Sequence, residues 1–293
     1  MPTPREVFDK LSEGITSGDW SELSTLYAED TVVEHPQRPP APTRVVGRAT
    51  VHEHFTRGLA SQIRLRRKNV VIHETTDPEL IVAEYDYDGE ALATGKSFET
   101  ANIQVLRVRD GLIRWSRDYH DYLRIAAARD GLEELADGAE KATVELEPLP
   151  ERPVSAADPK SPRGVFERLV YGVSDGKWDE VTDLYAEETL VTHPFLPGAP
   201  TLKSRQDLRA HFAGISGRGA EIQARDLVVY QSTDPEVVIG EFVYQGQSAR
   251  PFRASNIFVL RVRDGLIVES RDYLDSVALA AAGGWLRGLI KQL

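Results

Sequence analysis

Residues 105–119, VLRVRDGLIRWSRDY, return as residues 259–273, VLRVRDGLIVESRDY, with differences only at Arg114/Val268 and Trp115/Glu269. A segment that recurs this closely about 150 residues later means that one structural unit is present twice. Within it, alternating branched residues run into Arg-Asp-Gly, where glycine supplies the positive φ of a tight turn, and a second strand follows. Each hairpin therefore delivers an aspartate, Asp118 or Asp272, at the end of a strand.

The flanking sequence repeats the same plan. Val7, Phe8, Leu11 and Ile15, then Trp20, Leu23, Leu26 and Tyr27, fall at helical spacing on either side of Ser17-Gly18-Asp19, and the second copy matches with Val165, Phe166, Leu169 and Val173, then Trp178, Val181, Leu184 and Tyr185. The two tryptophans and two tyrosines read as core. A short strand follows in TVVEHP (31–36) and TLVTHP (189–194), stopped by proline, with Val33 and His35, or Val191 and His193, on one face. Helices are expected around 51–59 and 208–215, each carrying His-Phe. Strands are expected at 70–73, 80–87, 98–109 and 112–119, and in the second copy at 227–230, 237–244, 252–263 and 266–273. Helices first and strands afterwards define an α+β class: two tandem domains, each with N-terminal helices packed on one face of a curved, mostly antiparallel sheet. We expect domains at 1–130 and 163–293, joined by a Glu-, Ala- and Pro-rich linker at 131–162 whose composition buries no core. The linker is long enough for the halves to dock as an intramolecular pseudo-dimer, so the expected state is a monomer of that kind or a homodimer.

Composition excludes several classes of function. A net charge of −11 in 293 residues argues against nucleic acid or an anionic membrane as partner. The basic run Arg64, Arg66, Arg67 and Lys68 has no basic counterpart at Glu221–Arg225 and reads as a solvated strand face. The absence of cysteine removes disulfides and thiolate chemistry. No apolar stretch has the length of a leader or a membrane span, so a soluble, cytoplasmic protein is expected.

Strand alternation nominates the chemistry. Asn102 and Gln104 share a face, as do Asn256 and Phe258; Ser116 shares one with Asp118, and Ser270 with Asp272. If these faces line the concavity of the sheet, each half points an aspartate inward near a histidine. Burial would raise such a carboxyl and suit it to exchange protons with carbon or a hydroxyl, with His35 or His193 as polar partner. An aspartate paired with a neighbouring arginine would be the structural alternative. His54 and His211 read as partly buried helix residues. His120, opposed by Leu274, belongs to one copy only and distinguishes the first pocket from the second. No metal site is expected, because His52 and His54 point to different helix faces and no histidine pair has a third ligand in both copies. No glycine pattern for a nucleotide appears, and no cofactor is expected.

Each half resembles the SnoaL-like polyketide cyclases and ketosteroid isomerases, which share the cone-shaped fold of nuclear transport factor two. The resemblance runs through LYAEDTVVEHP, the segment 47–55 and RDGLIRWSRDYHD. It implies that Asp118 and Asp272 stand where the cyclases place their acid–base aspartate. Steroid isomerases place their base where His35 and His193 stand, and their oxyanion hole would fall on Leu11 and Gln104, or on Leu169 and Phe258. Leucine and phenylalanine donate no hydrogen bond to an enolate, so steroid isomerisation is disfavoured. Epoxide opening, which uses a carboxylate at the histidine position, is weakened as well.

The resulting expectation is a cofactor-independent cyclase or isomerase acting on an apolar, oxygenated small molecule such as a polyketide. Asp118, Asp272, His35 and His193 would be catalytic, and Asn102, Gln104, Asn256, Phe258, Ser116, Ser270 and His120 would bind substrate. The alternative is a non-catalytic ligand-binding or scaffold module of the same fold. The two readings part on whether Asp118 faces a cavity and has its proton affinity raised.

Overall fold

A computed structural model describes residues 1–217 and 221–293, which divide into two compact units, Met1–Ala139 and Glu140–Gln292. The first unit opens with helix α1 (Pro4–Ser17) and the short α2 (Trp20–Leu23). Thr3 and Glu6 form a reciprocal capping box at the start of α1, and Gly18, at φ 79°, closes it in the left-handed conformation that only glycine adopts cheaply. Strands β1 (Tyr27–His35) and β2 (Thr43–Val46), helix α3 (Arg48–Glu53), strands β3 (Ile63–Glu74), β4 (Leu80–Ala91), β5 (Lys96–Arg109) and β6 (Leu112–His120), and helices α4 (Tyr122–Ala128) and α5 (Leu132–Lys141) follow.

The second unit repeats this order with α6 (Pro162–Ser174), α7 (Trp178–Thr182), β7 (Tyr185–Thr192), β8 (Leu202–Ser204), α8 (Arg205–Ser216), β9 (Glu221–Gln231), β10 (Val237–Gln247), β11 (Pro251–Arg263), β12 (Leu266–Tyr273), α9 (Ser276–Gly283) and α10 (Leu286–Ile290).

Each unit holds one six-stranded sheet, in the order β2-β1-β6-β5-β4-β3 or β8-β7-β12-β11-β10-β9. Every pairing is antiparallel except β1 with β6 and β7 with β12, which run parallel. This is the expected α+β architecture in two tandem copies. The helices bury their apolar stripe on one face of the sheet: Val7, Phe8 and Leu11 meet Tyr85, Leu106 and Ile113, and Val165, Phe166 and Leu169 meet Phe242, Leu260 and Ile267.

Both repeated hairpins turn as their sequence requires. Asp110 and Gly111 have φ of 56° and 75°, Asp264 and Gly265 of 52° and 78°, the pair of positive values that matches a two-residue turn to the strand twist. A side chain at the second position is strained. Replacing Gly265 with valine is expected to cost about 1–3 kcal/mol in urea unfolding, and asparagine distinctly less; equal costs would contradict the turn argument.

In the basic run on β3, Arg64 and Arg66 are solvated and pair with Glu90 and Asp88, and Lys68 lies 2.7 Å from Asp88; Arg67 turns to the other side, over the Phe8 ring and 3.3 Å from Asp9.

Three expectations need correction. The segment 24–27 continues the helical spacing of α2 for only one 3-10 turn before β1 begins at Tyr27, because the apolar spacing there also satisfies a strand edge. The edge strands β2 and β8 are too short and too polar to register as strands in the sequence. Part of the expected linker is structured: α5 lies within it, with Ala136 wholly buried. Leu132, Leu135, Ala136 and Ala139 are spaced to give one apolar helix face that the overall acidity of the segment conceals.

Candidate active site

Sheet register assembles the first site. On neighbouring strands Gln104 lies directly opposite Asp118, and Asn102 opposite His120. The parallel β1–β6 pair aligns Val33 with Ser116 and Glu34 with Arg117, so that His35, the last residue of β1, comes beside Asp118. Gln104 Nε2 donates to Asp118 Oδ1 at 2.8 Å, while the adjacent Arg117 turns to Glu34 at 2.8 Å. The arginine-paired alternative for Asp118 thus does not describe its surroundings.

These groups face a cavity of about 720 Å³ enclosed by the first unit and lined by Leu11, Trp20, Tyr27, Val33, Phe55 and Tyr85 together with His35, His54, Asn102, Gln104, Asp118 and His120. Helix α5 contributes Glu134, Leu135 and Gly138 to its wall. Its size suits a small organic ligand.

Burial sets the protonation states. Loss of hydration pushes the Asp118 carboxyl up to about 6, against the opposing Gln104 hydrogen bond. The same effect pushes His35 down to about 4, with the charge of Arg38 adding to it, and His120 down to about 3, with His35 and His54 adding. At neutral pH the site therefore holds neutral imidazoles around a carboxyl that titrates close to physiological pH.

The histidines form a row. The His35 ring lies 5.8 Å from those of both His54 and His120. His54 opens a π-helical turn, His54–Leu59, that continues α3, and its counterpart His211 lies on the regular helix α8. His35 is 6 % exposed, and among the described residues neither ring nitrogen has a hydrogen-bond partner. One ligand atom from each of His35, Asp118 and His120 lies within 4.8 Å of the others. The sequence reading sets a metal site aside by looking for histidines spaced along one helix; the sheet instead gathers them from two strands.

The second unit keeps the carboxyl and changes its surroundings. His193 Nε2 is 3.8 Å from Asp272 Oδ2, Ser270 donates to Asp272 Oδ1, and the His193 ring stacks on His211 at 5.4 Å. Burial pushes Asp272 up to about 7 and His193 down to about 4. Phe258 stands opposite Asp272 where the first unit has Gln104.

Not every nominated residue reaches a site in the same way. Ser116 is fully buried and absent from the cavity wall; its hydroxyl lies outside ideal hydrogen-bond geometry yet close enough to Asp118 to favour the ionised carboxyl, as Ser270 does at Asp272. Asn256 is fully buried, donating to the Ala254 carbonyl at 2.8 Å and accepting from the Asp275 amide at 3.2 Å, which makes it a scaffold residue. Phe258 packs edge-on against Phe242 at 4.9 Å. The sequence reading misses Arg38, Tyr85 and Tyr87 as cavity residues and takes Tyr27 for core alone. Alternation along β4 carries the signal for the two tyrosines; Arg38 sits in a proline-rich loop whose path only the fold defines.

An α+β cone with a buried carboxyl in its mouth is the class that fold and site define. The chain belongs to the SnoaL-like domain family, which matches it twice, over residues 8–116 and 166–270. A PhzA/B-like protein of Pseudomonas aeruginosa, itself described as uncharacterized, is 35 % identical over 123 residues, covering 42 % of this chain and 86 % of that protein. The protein YesE of Bacillus subtilis, described in the same way, is 27 % identical over 128 residues, covering 43 % and 86 %. Among solved structures, an NTF2-like protein of Burkholderia xenovorans is similar at 20 % identity over 44 % of this chain and 98 % of that one, with a TM-score of 0.36. Among the described residues, no helix is long and apolar enough to cross a membrane.

Proposed function

We propose that the protein is a cyclase or isomerase that moves protons on an apolar, oxygenated small molecule, such as a polyketide or other secondary-metabolite intermediate. The observation that carries this reading is the Asp118 carboxyl, held near 6 by burial and facing the cavity. Burial raises Asp121 and Asp275 as well, but those cap α4 and α9; Asp118 differs in lining the cavity, and membership of the SnoaL-like family supports the same reading.

In the proposed step the Asp118 or Asp272 carboxylate takes a proton from a carbon beside a carbonyl, and the bonding pair moves onto the carbonyl oxygen as an enolate. The resulting carboxylic acid returns the proton, either to a different carbon, giving isomerisation, or to the alkoxide formed when the enolate carbon closes onto a second carbonyl, giving a ring. His35 and His193 are the polar neighbours of these carboxyls. Gln104 and Asn102 orient the first site, where Gln104 also stabilises the ionised form of Asp118.

The test is exchange of solvent deuterium into the acidic carbon positions of small apolar β-diketones and polyketone surrogates, with product analysis for ring closure. Because the base must be ionised in the free enzyme, kcat/KM is expected to rise with pH through about 6 to 7 and then level. A rate that is flat from pH 5 to 8 would remove the two aspartates from the mechanism.

A further inference from the structure

We propose that the first unit binds one divalent first-row transition-metal ion through His35, His120 and Asp118, and that the second unit does not. Two imidazoles and one carboxylate are the donor set that zinc and its neighbours take, and they leave open positions for solvent or a ligand.

The geometry is close to a site already. The three ligand atoms lie within 4.8 Å of one another, and drawing them to the about 3.3 Å separation of donors around a small ion needs shifts on the order of 1 Å. His35 is nine-tenths buried in the cavity wall; neither nitrogen makes a well-formed hydrogen bond, and the one polar neighbour that favours its proton, the Asp118 backbone, acts as an acceptor, so its lone pair is committed to no protein donor. His120 is held from behind. The Asn102 amide nitrogen donates to the Thr100 carbonyl at 3.1 Å, which leaves Oδ1 to accept from His120 Nδ1 at 2.8 Å. That bond puts the proton on Nδ1 and the lone pair on Nε2, the arrangement by which a backing acceptor orients a ligating histidine. Asp118 is oriented in turn by Gln104.

Arg38 and Arg129 are the cationic groups on the cavity wall; both are exposed, so solvent weakens their opposition to a bound cation, although the charge of Arg38 still reaches His35 and His120. The second unit supplies an internal control. There the place of His120 is taken by Leu274, which packs against the apolar core, and a single histidine faces Asp272. In the ion-bound first unit Asp118 is a ligand and no longer a base, so the ion and base catalysis exclude each other at that carboxyl. The proposal concerns binding and stands whether or not the protein turns over a substrate.

The experiment titrates the full chain, free of any affinity tag and stripped with a chelator, with cobalt(II) followed by absorption, then with zinc(II) as competitor. The expected result is one equivalent of cobalt bound with the visible bands of a nitrogen- and oxygen-ligated ion, displaced by zinc. His120→Leu, the residue the second unit carries, is expected to weaken binding at least about 100-fold, and Asn102→Ala about 10- to 100-fold by releasing the orientation of His120. Asp272→Asn is expected to leave it unchanged. Absence of a one-equivalent cobalt complex in the wild-type protein, equal affinity in His120→Leu, or an equal loss in Asp272→Asn would each overturn the proposal; the wild-type titration decides even if a variant does not fold.

Discussion

Replacing Asp118 with asparagine in the chelator-treated protein is expected to lower turnover of a β-diketone surrogate by about 10²–10⁴-fold while leaving KM within a few-fold. Asparagine keeps the size of the side chain and can still accept the hydrogen bond from Gln104, so what it removes is the exchangeable proton site. The matching Asp272→Asn change is expected to cost less. In the second unit the residue opposite the carboxyl is Phe258, which offers no donor for a developing enolate, and Leu274 and Leu196 stand where the first unit has His120 and Arg38. The unequal cost follows from these differences. A loss of about half in each variant would place the chemistry in both units, and no loss in either would leave the aspartates without a catalytic role.

The second large effect is on stability. Asp272 is 7 % exposed, and burial raises its carboxyl from an ordinary 3.8 to about 7. A carboxyl raised in the folded state favours folding when protonated. Its contribution is fully present below the unfolded value near 3.8 and is lost as pH rises through about 7. Above that pH the folded protein carries a desolvated carboxylate, at a cost on the order of 4 kcal/mol. Asp272→Asn removes that charge. The variant is therefore expected to be more stable than wild type at pH 8, by a few kcal/mol, with the gain shrinking toward zero near pH 4. Denaturant unfolding of the two proteins at pH 5, 6.5 and 8 measures this directly. A gain that did not change with pH would mean that the carboxyl titrates normally and that its role as a base near neutrality is lost with it. Enhanced stability together with lower turnover is the trade expected where a strained group serves chemistry.

Much of this arrangement is legible in the amino-acid sequence, and the reason is periodicity. A strand alternates sides except at bulges, and beyond the one that each repeated hairpin carries near its turn, alternation places Asp118 at a strand end and on the face it shares with its partner strand, while the Pro after His35 places that histidine at the end of another. Those assignments need only local geometry. His54 is not readable as a member of the row, because helical periodicity does not say which helix face meets the sheet; its counterpart His211 on α8 reaches His193 through the same packing. The joining of His35 with His120 depends on strands whose order is a property of the whole sheet. Helix α5 is hidden by composition: its acidic surface outweighs four apolar positions on one face. Asn256 shows the converse. Alternation assigns it to the correct face, yet the hydrogen bonds that occupy it, to Ala254 and to the Asp275 amide, arise from packing of the following turn.

The parallel pairing of β1 with β6 has a consequence for the order in which the molecule comes together. Two strands side by side in the same direction cannot be joined by a tight turn, and here everything from β2 to β5 is the connection. The Arg117–Glu34 contact spans 83 residues. Closing so long a loop is entropically slow, so the hairpins of β3 to β5 are expected to form before β6 docks on β1. The carboxyl and its histidine therefore meet in the last act of folding. A chain emerging from the ribosome carries no complete site until β6 has been made, and α5, which adds to the cavity wall, follows it.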